Sequence, residues 1–150
     1  MVAATNTPPV PLHRASDDPA AIEPGDRTPS QIGDLLRRPF HPSVIKQRQI
    51  AGRNIDYVPI DCVIERLNRA APVWHWTVTD IRIVTMPIKR RDGVVDMPVA
   101  QCIGTLEIPG IGKRQGIGTA PCEGTEDAPK IAESDAIKRA ATMFGVPGGR

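Results

Sequence analysis

The 150-residue sequence predicts an α+β fold in which helices cover one face of an antiparallel sheet. Three observations carry this. Helix-period apolar stripes recur near residues 30–37, 61–71 and 128–144. Between the last two stripes run three β-rich segments separated by turn residues. A shorter pair of strand-like segments around Ala51-Gly52-Arg53-Asn54 reads as a small hairpin.

The first 29 residues read as a disordered tail, since Pro8, Pro9, Pro11, Pro19, Pro24 and Pro29 recur among small and acidic residues. Order begins near Thr28, which suits a helix N-cap, with Pro29 at the first helical position. Ile32, Leu35 and Leu36 share one helix face, and Pro39 and Pro42 stop it. Val44–Ile50 and Ile55–Val58 form the hairpin, with Lys46 and Arg48 on one side because they are two apart. Asp61 is placed to cap a second helix with Val63, Ile64 and Leu67 inward, and Pro72 ends it.

Trp74–Val84 is the first long strand. Its apolar phase changes between Val78 and Ile81, which predicts a bulge. Lys89–Gly93 carries a D-G turn. Met97–Ile108 follows, with a bend expected at Gly104, and Lys113–Ala120 completes the meander. The last helix spans Ala128–Phe144 with Ile131, Ile137, Ala140, Ala141 and Phe144 on its apolar stripe. Gly145 is placed to terminate it, and Pro147 prevents continuation. Residues 147–150 are expected to be a flexible end.

The net charge of +2 conceals an asymmetry: the first 29 residues carry four acidic against two basic side chains, so residues 30–150 hold +4. A modestly basic domain favours an anionic partner. With only two Trp, two Phe and one Tyr, any grip on nucleic acid must lean on charge and main chain rather than on base stacking. Cys62, Cys102 and Cys122 are far apart, and His13, His41 and His75 make no ligand spacing with them. Three reduced, buried thiols in a cytosolic protein are expected, with no metal site. No apolar run approaches the ~20 residues of a membrane span, and the N-terminus lacks the pattern of a secretory signal.

Several chemistries are excluded on spacing. Gly110-Ile-Gly-Lys113 resembles a phosphate loop, but Glu107 stands where its first glycine belongs and Arg114 follows the lysine. No G-x-S-x-G, H-E-x-x-H or organised carboxylate pair occurs. Asp61 with Glu65 reads as a cap plus a solvated helix face.

Two separated segments carry a family resemblance. The first is Ile45-Lys-Gln-Arg-Gln-Ile-Ala-Gly-Arg-Asn-Ile-Asp-Tyr-Val58, continuing into Val63-Ile-Glu-Arg-Leu-Asn68 and Trp74. The second is Lys130-Ile-Ala-Glu-Ser-Asp-Ala-Ile-Lys-Arg-Ala-Ala-Thr-Met-Phe-Gly145. Together, over about residues 30–146, they resemble the Rad-fifty-two (Rad-twenty-two) family of single-strand annealing proteins, in a short form of bacterial or phage type.

The resemblance implies a single-strand-annealing DNA-binding domain over 30–146, ring-forming, with single-stranded DNA in a basic groove and its bases exposed. It implies annealing in recombination and double-strand break repair, without nucleotide hydrolysis, catalytic residues or cofactor. By position, Lys138, Arg139 and Arg48 line the groove and Tyr57 lies close to it. Thr142 stands where the eukaryotic branch has a further basic residue, and the resemblance does not extend to the C-terminal extension of that branch.

Helix spacing adds Lys130, in line with Ser134 and Lys138 on one face. The other reading of that face is a solvated helix edge partnered by Glu133 or Asp135. Lys46 joins the site from the hairpin. Lys89, Arg90 and Arg91, with Lys113 and Arg114, are either soluble turns or a second DNA site. The partners expected are single-stranded DNA, further copies of the chain in a ring, and a single-strand-binding protein or recombinase. No membrane is expected, and the location is the cytoplasm, at the nucleoid. The alternatives are a non-annealing structural or adaptor ring that protects DNA ends, and an unrecognised nuclease.

Overall fold

The computed structural model describes residues 18–50 and 52–148. Residues 1–17 of the expected tail, Ala51 of the expected turn, and residues 149 and 150 lie outside the described residues.

The elements run α1 (Pro29–Arg37), β1 (Lys46–Ile50), β2 (Arg53–Tyr57), α2 (Ile60–Ala70), β3 (His75–Arg90), β4 (Gly93–Ile108), β5 (Gly112–Pro121) and α3 (Ala128–Met143). β1 and β2 form a two-stranded antiparallel sheet, and β3-β4-β5 a three-stranded antiparallel one. The α+β class and element order agree with the sequence expectation.

α1 starts as its sequence dictates. The Thr28 hydroxyl accepts from Gln31 N–H, and the Gln31 side chain accepts from Thr28 N–H, a reciprocal capping box. Its inward residues Ile32, Leu35 and Leu36 meet Val63, Leu67 and Ala70 of α2, Leu106 and Ile108 at the base of β4, and Phe144 beyond α3. α2 differs at its start: Pro59 holds the cap position and Asp61 lies inside the first turn, with no side-chain cap bond. There the carboxylate still faces the positive end of the helix dipole. Ile64 is only half-buried, so the buried stripe is Val63, Leu67 and Ala70.

Two arginines close the ends of these helices. Arg66 donates to the carbonyls of Leu36 (3.1 Å) and Arg38, and its guanidinium lies 4.1 Å from the Phe40 ring centroid. Arg27 donates to the carbonyls of Ala70 (3.0 Å), Arg69 and Pro19. Residues 18–28 carry two 3-10 turns, fastened by Arg27 and by an Asp18–Arg38 ion pair at 2.6 Å.

β3 and β4 are both longer than expected. The sequence places their ends at Val84 and Met97, whereas the ladder runs on to the Arg90–Gly93 pair. Pro87 and Pro98 obscured this arm, because proline normally punctuates strands. Pro87 lies on edge strand β3, and Pro98 lies just past the last β4–β5 pair, Val99–Pro121, so neither removes a hydrogen bond from a two-sided ladder. The expected bulge is present, with the register slipping between Val78 and Asp80. Gly93 adopts φ +130°, which the tight turn after Asp92 requires.

α3 lies across β4 and β5 through an alanine face: Ala128, Ala132, Ala136, Ala140 and Ala141 are buried, with Ile137. Ile131, expected on this stripe, is 47% exposed. The cause is close approach. Gly116 and Gly118 let the α3 backbone rest on the β5 backbone, leaving no room for a branched side chain between them. Of the three thiols expected to be buried, only Cys102 is; Cys62 and Cys122 are half-buried.

Candidate nucleic-acid interface

The β1–β2 hairpin presents two chemically distinct faces. Register pairs Lys46 with Tyr57, Arg48 with Ile55 and Ile50 with Arg53, so these six share one face. The opposite face carries Gln47 and Asp56, hydrogen-bonded at 2.9 Å. The basic face is the one that meets α3. Arg48 lies 5.3 Å, and the Lys138 ammonium 5.6 Å, from the centroid of the same Tyr57 ring.

Two adjoining cavities, of about 290 and 390 Å³, share Arg48, Tyr57, Asp135, Lys138 and Arg139 in their walls, so they read as one groove between hairpin and helix. Thr142, Pro147 and Gly148 close one end, and Thr119 and Ser134 line the other. Pro147 and Gly148, expected in a flexible end, are therefore part of the wall.

The electrostatics of this groove are strained in one direction. Burial pulls the Lys138 ammonium below the usual lysine range, and the Arg48 charge adds to that shift, while Asp135 opposes it. Among the described residues Lys138 has no ion pair. Asp135 is committed elsewhere: one carboxylate oxygen accepts from Arg139 Nε at 3.1 Å and from the Thr119 backbone N–H at 3.2 Å. Two cations lie against one aromatic ring, and among the described residues neither forms an ion pair. An anion placed there would relieve their repulsion and replace the water that burial removed.

The structure brings together four of the sequence-derived residues: Arg48, Tyr57, Lys138 and Arg139. Lys46 shares the hairpin face beside Tyr57 but lines neither cavity, and Lys130 is exposed in the first turn of α3 and also lines neither. The solvated-edge reading of α3 is half right. Arg139 does pair with Asp135, but Glu133 accepts from the Trp76 indole instead (3.1 Å). Sequence reasoning missed Arg53, whose alternation with Ile55 and Tyr57 puts it on the same face, and Asp135 as a member of the groove.

The remaining basic residues do not form one patch. Lys89 pairs with Val94 at the tip of the long arm, and Lys113 pairs with Glu107 at the base of the sheet. Those partners are thirteen residues apart on β4, about 43 Å at roughly 3.3 Å per residue. Arg90 is paired with Glu123, and Arg114 lies 5.5 Å from the Phe144 ring centroid.

Among the described residues no group of His, Cys, Asp or Glu is arranged to hold a metal ion, and no helix is long and apolar enough to cross a membrane. A family model described as Rad52/22 family double-strand break repair protein matches residues 28–150. No curated protein matches the chain.

Proposed function

The chain belongs to the Rad52/22 family of double-strand break repair proteins, and from that premise we propose that it binds single-stranded DNA in the groove between hairpin and helix and promotes annealing of complementary strands. The observation that carries the reading is the unneutralised pair, Arg48 and Lys138, flanking Tyr57. Arg48, Lys138 and Arg139 grip phosphates without reading sequence. The Tyr57 ring, already flanked by two cations, spaces them rather than stacking a base. Holding the backbone while leaving base edges outward is what pairing with a second strand requires.

The protein acts as a ring-like oligomer, in which repeated weak grips sum through avidity. Annealing of this kind needs no nucleotide hydrolysis and no metal, and no side chain of the groove takes part in bond breaking. A single-strand-binding protein or a recombinase is a further partner.

Lys138→Ala combined with Arg139→Ala tests the assignment. Removing two phosphate contacts is expected to weaken oligonucleotide binding at least about tenfold, with the oligomer unchanged by light scattering. Undiminished binding by the double variant would remove the groove from the mechanism. The annealing of two labelled complementary oligonucleotides, without ATP, separates annealing from passive coating. An intact strand after incubation with Mg²⁺ separates both from nuclease action.

A further inference from the structure

We infer that Asp135 is a positioning residue of the groove, holding Arg139 by Nε so that its two Nη groups fork toward a phosphate. The inference rests on the groove reading above and deepens it.

A carboxylate in the wall of a groove for a polyanion needs an explanation, because its charge opposes binding. The geometry supplies one. Asp135 is anchored to the sheet: the Thr119 N–H that it accepts at 3.2 Å belongs to β5, an edge strand paired only with β4. Arg139, one helical turn on, is anchored in turn to Asp135, through Nε at 3.1 Å. A guanidinium bonded at Nε keeps a second edge of two parallel N–H donors, the edge that matches two phosphate oxygens. Among the described residues those Nη groups make no other hydrogen bond. Arg139 alone is a long side chain that loses rotamer entropy when fixed. Asp135 fixes it before the strand arrives, which is preorganisation in the ordinary sense. The same carboxylate lies near Lys138 and favours its charged form.

Positioning and plain charge predict opposite signs for one substitution. Asp135→Ala removes a negative charge together with the oxygen that holds Arg139 and the Thr119 N–H, so charge alone predicts tighter binding of a labelled oligo(dT). Positioning predicts binding weaker by about 3- to 10-fold, the size of one lost charge-assisted contact. It also predicts a salt dependence shallower by about 0.7, the increment for one phosphate on a single strand. In an Arg139→Ala background the same substitution is expected to cost little more.

Tighter or unchanged binding by a folded Asp135→Ala variant overturns the inference, and so does an equal loss with and without Arg139. Should Asp135→Ala not fold, Arg139→Lys carries the test. An ammonium cannot hold Asp135 and fork onto a phosphate, so Arg139→Lys is expected to bind as poorly as Arg139→Ala, and wild-type affinity there overturns the proposal. If the wild-type chain binds no oligonucleotide, the groove reading falls and this inference with it. If Lys138→Ala weakens binding while Asp135→Ala does not, only the positioning role falls.

Discussion

Lys138 places its ammonium 5.6 Å from the centroid of the Tyr57 ring, whose other cationic neighbour is Arg48 at 5.3 Å. The ring is thus in contact with both of the groups proposed to grip phosphate, and in that proposal it sets their spacing. Each cation–π contact is worth about 0.5–1 kcal/mol at a partly exposed site. Tyr57→Phe keeps the ring and is expected to bind oligo(dT) within about twofold of wild type. Tyr57→Ala removes both contacts and is expected to weaken binding about 5- to 30-fold. Equal losses for the two variants would show that the hydroxyl, not the ring, is what matters.

Lys138 also gives the groove a pH dependence. Its pKa in the folded protein lies below the ordinary lysine value, first through burial and then through Arg48. A phosphate stabilises the charged form, so binding takes up a proton as pH approaches that depressed pKa. Affinity is therefore expected to be full below the depressed value and to decline as pH rises through it, sooner than a normal lysine would allow. Guanidinium groups in general stay charged throughout such a titration, so only part of the affinity is expected to be lost. Titrating oligonucleotide binding from pH 7 to about 10 checks this, and Lys138→Arg is expected to flatten the profile. Stability has the opposite sign. The charged lysine is disfavoured in the fold below its folded pKa, and that penalty disappears as pH rises above it. Lys138→Gln is accordingly expected to raise the melting temperature at pH 7 by roughly 1–3 °C while weakening DNA binding. A lower melting temperature would count against a disfavoured charge at this site.

The groove depends on how closely α3 lies on β5. A Cβ added at Gly118 would fall 2.1 Å from the Ala132 carbonyl oxygen and 2.4 Å from the Ala136 nitrogen, and one at Gly116 would fall 2.0 Å from the Ala136 carbonyl oxygen. These are backbone atoms, so no side chain can swing aside. Gly118→Ala is expected to cost about 3 kcal/mol or more, a large share of the roughly 5–15 kcal/mol that holds a domain folded. It should also loosen the Thr119–Asp135 link next door. A urea midpoint equal to that of wild type would mean that the helix sits further from the sheet.

Where the chain was legible in its sequence, a local rule carried the information. The start of the first helix at Thr28-Pro29 and the turn at Asp92-Gly93 announce themselves within a few residues. The slip after Val78 shows as a break in alternation. What was not legible depends on tertiary approach. The alanine face of α3 looks like a weak helix with one good apolar residue, Ile131, until the glycines of β5 explain why alanine alone fits and Ile131 turns out. The long arm was hidden because Pro87 and Pro98 read as breakers when their ladder positions are unknown. For the groove, alternation put Lys46 and Arg48 on one hairpin face, and helix period aligned Lys130, Ser134 and Lys138. Neither rule says which hairpin face meets which helix face. That came from the family resemblance, which gives Arg48, Tyr57, Lys138 and Arg139; the spacing rules alone add Lys46 and Lys130, which line neither cavity, and do not single out Asp135.

The split of the outer basic residues makes a last prediction. Lys89 and Arg91 belong to the arm tip, and Lys113 and Arg114 to the base of the sheet, about 43 Å away at roughly 3.3 Å per residue along β4. The basal pair is also partly engaged: Lys113 lies 3.9 Å from Glu107, and Arg114 sits over Phe144. A compact second DNA site containing both groups would couple them, so that removing one made the other worthless. Separate surfaces do not couple. Lys89→Ala with Arg91→Ala, and Lys113→Ala with Arg114→Ala, are each expected to reduce capture of a second strand by no more than about threefold. Combined, their effects on binding free energy are expected to add to within about 0.5 kcal/mol. Anisotropy with a pre-coated first strand measures this, and a coupling well above that value would require the two regions to meet, across neighbouring copies in an assembly, at a site that one chain alone does not form.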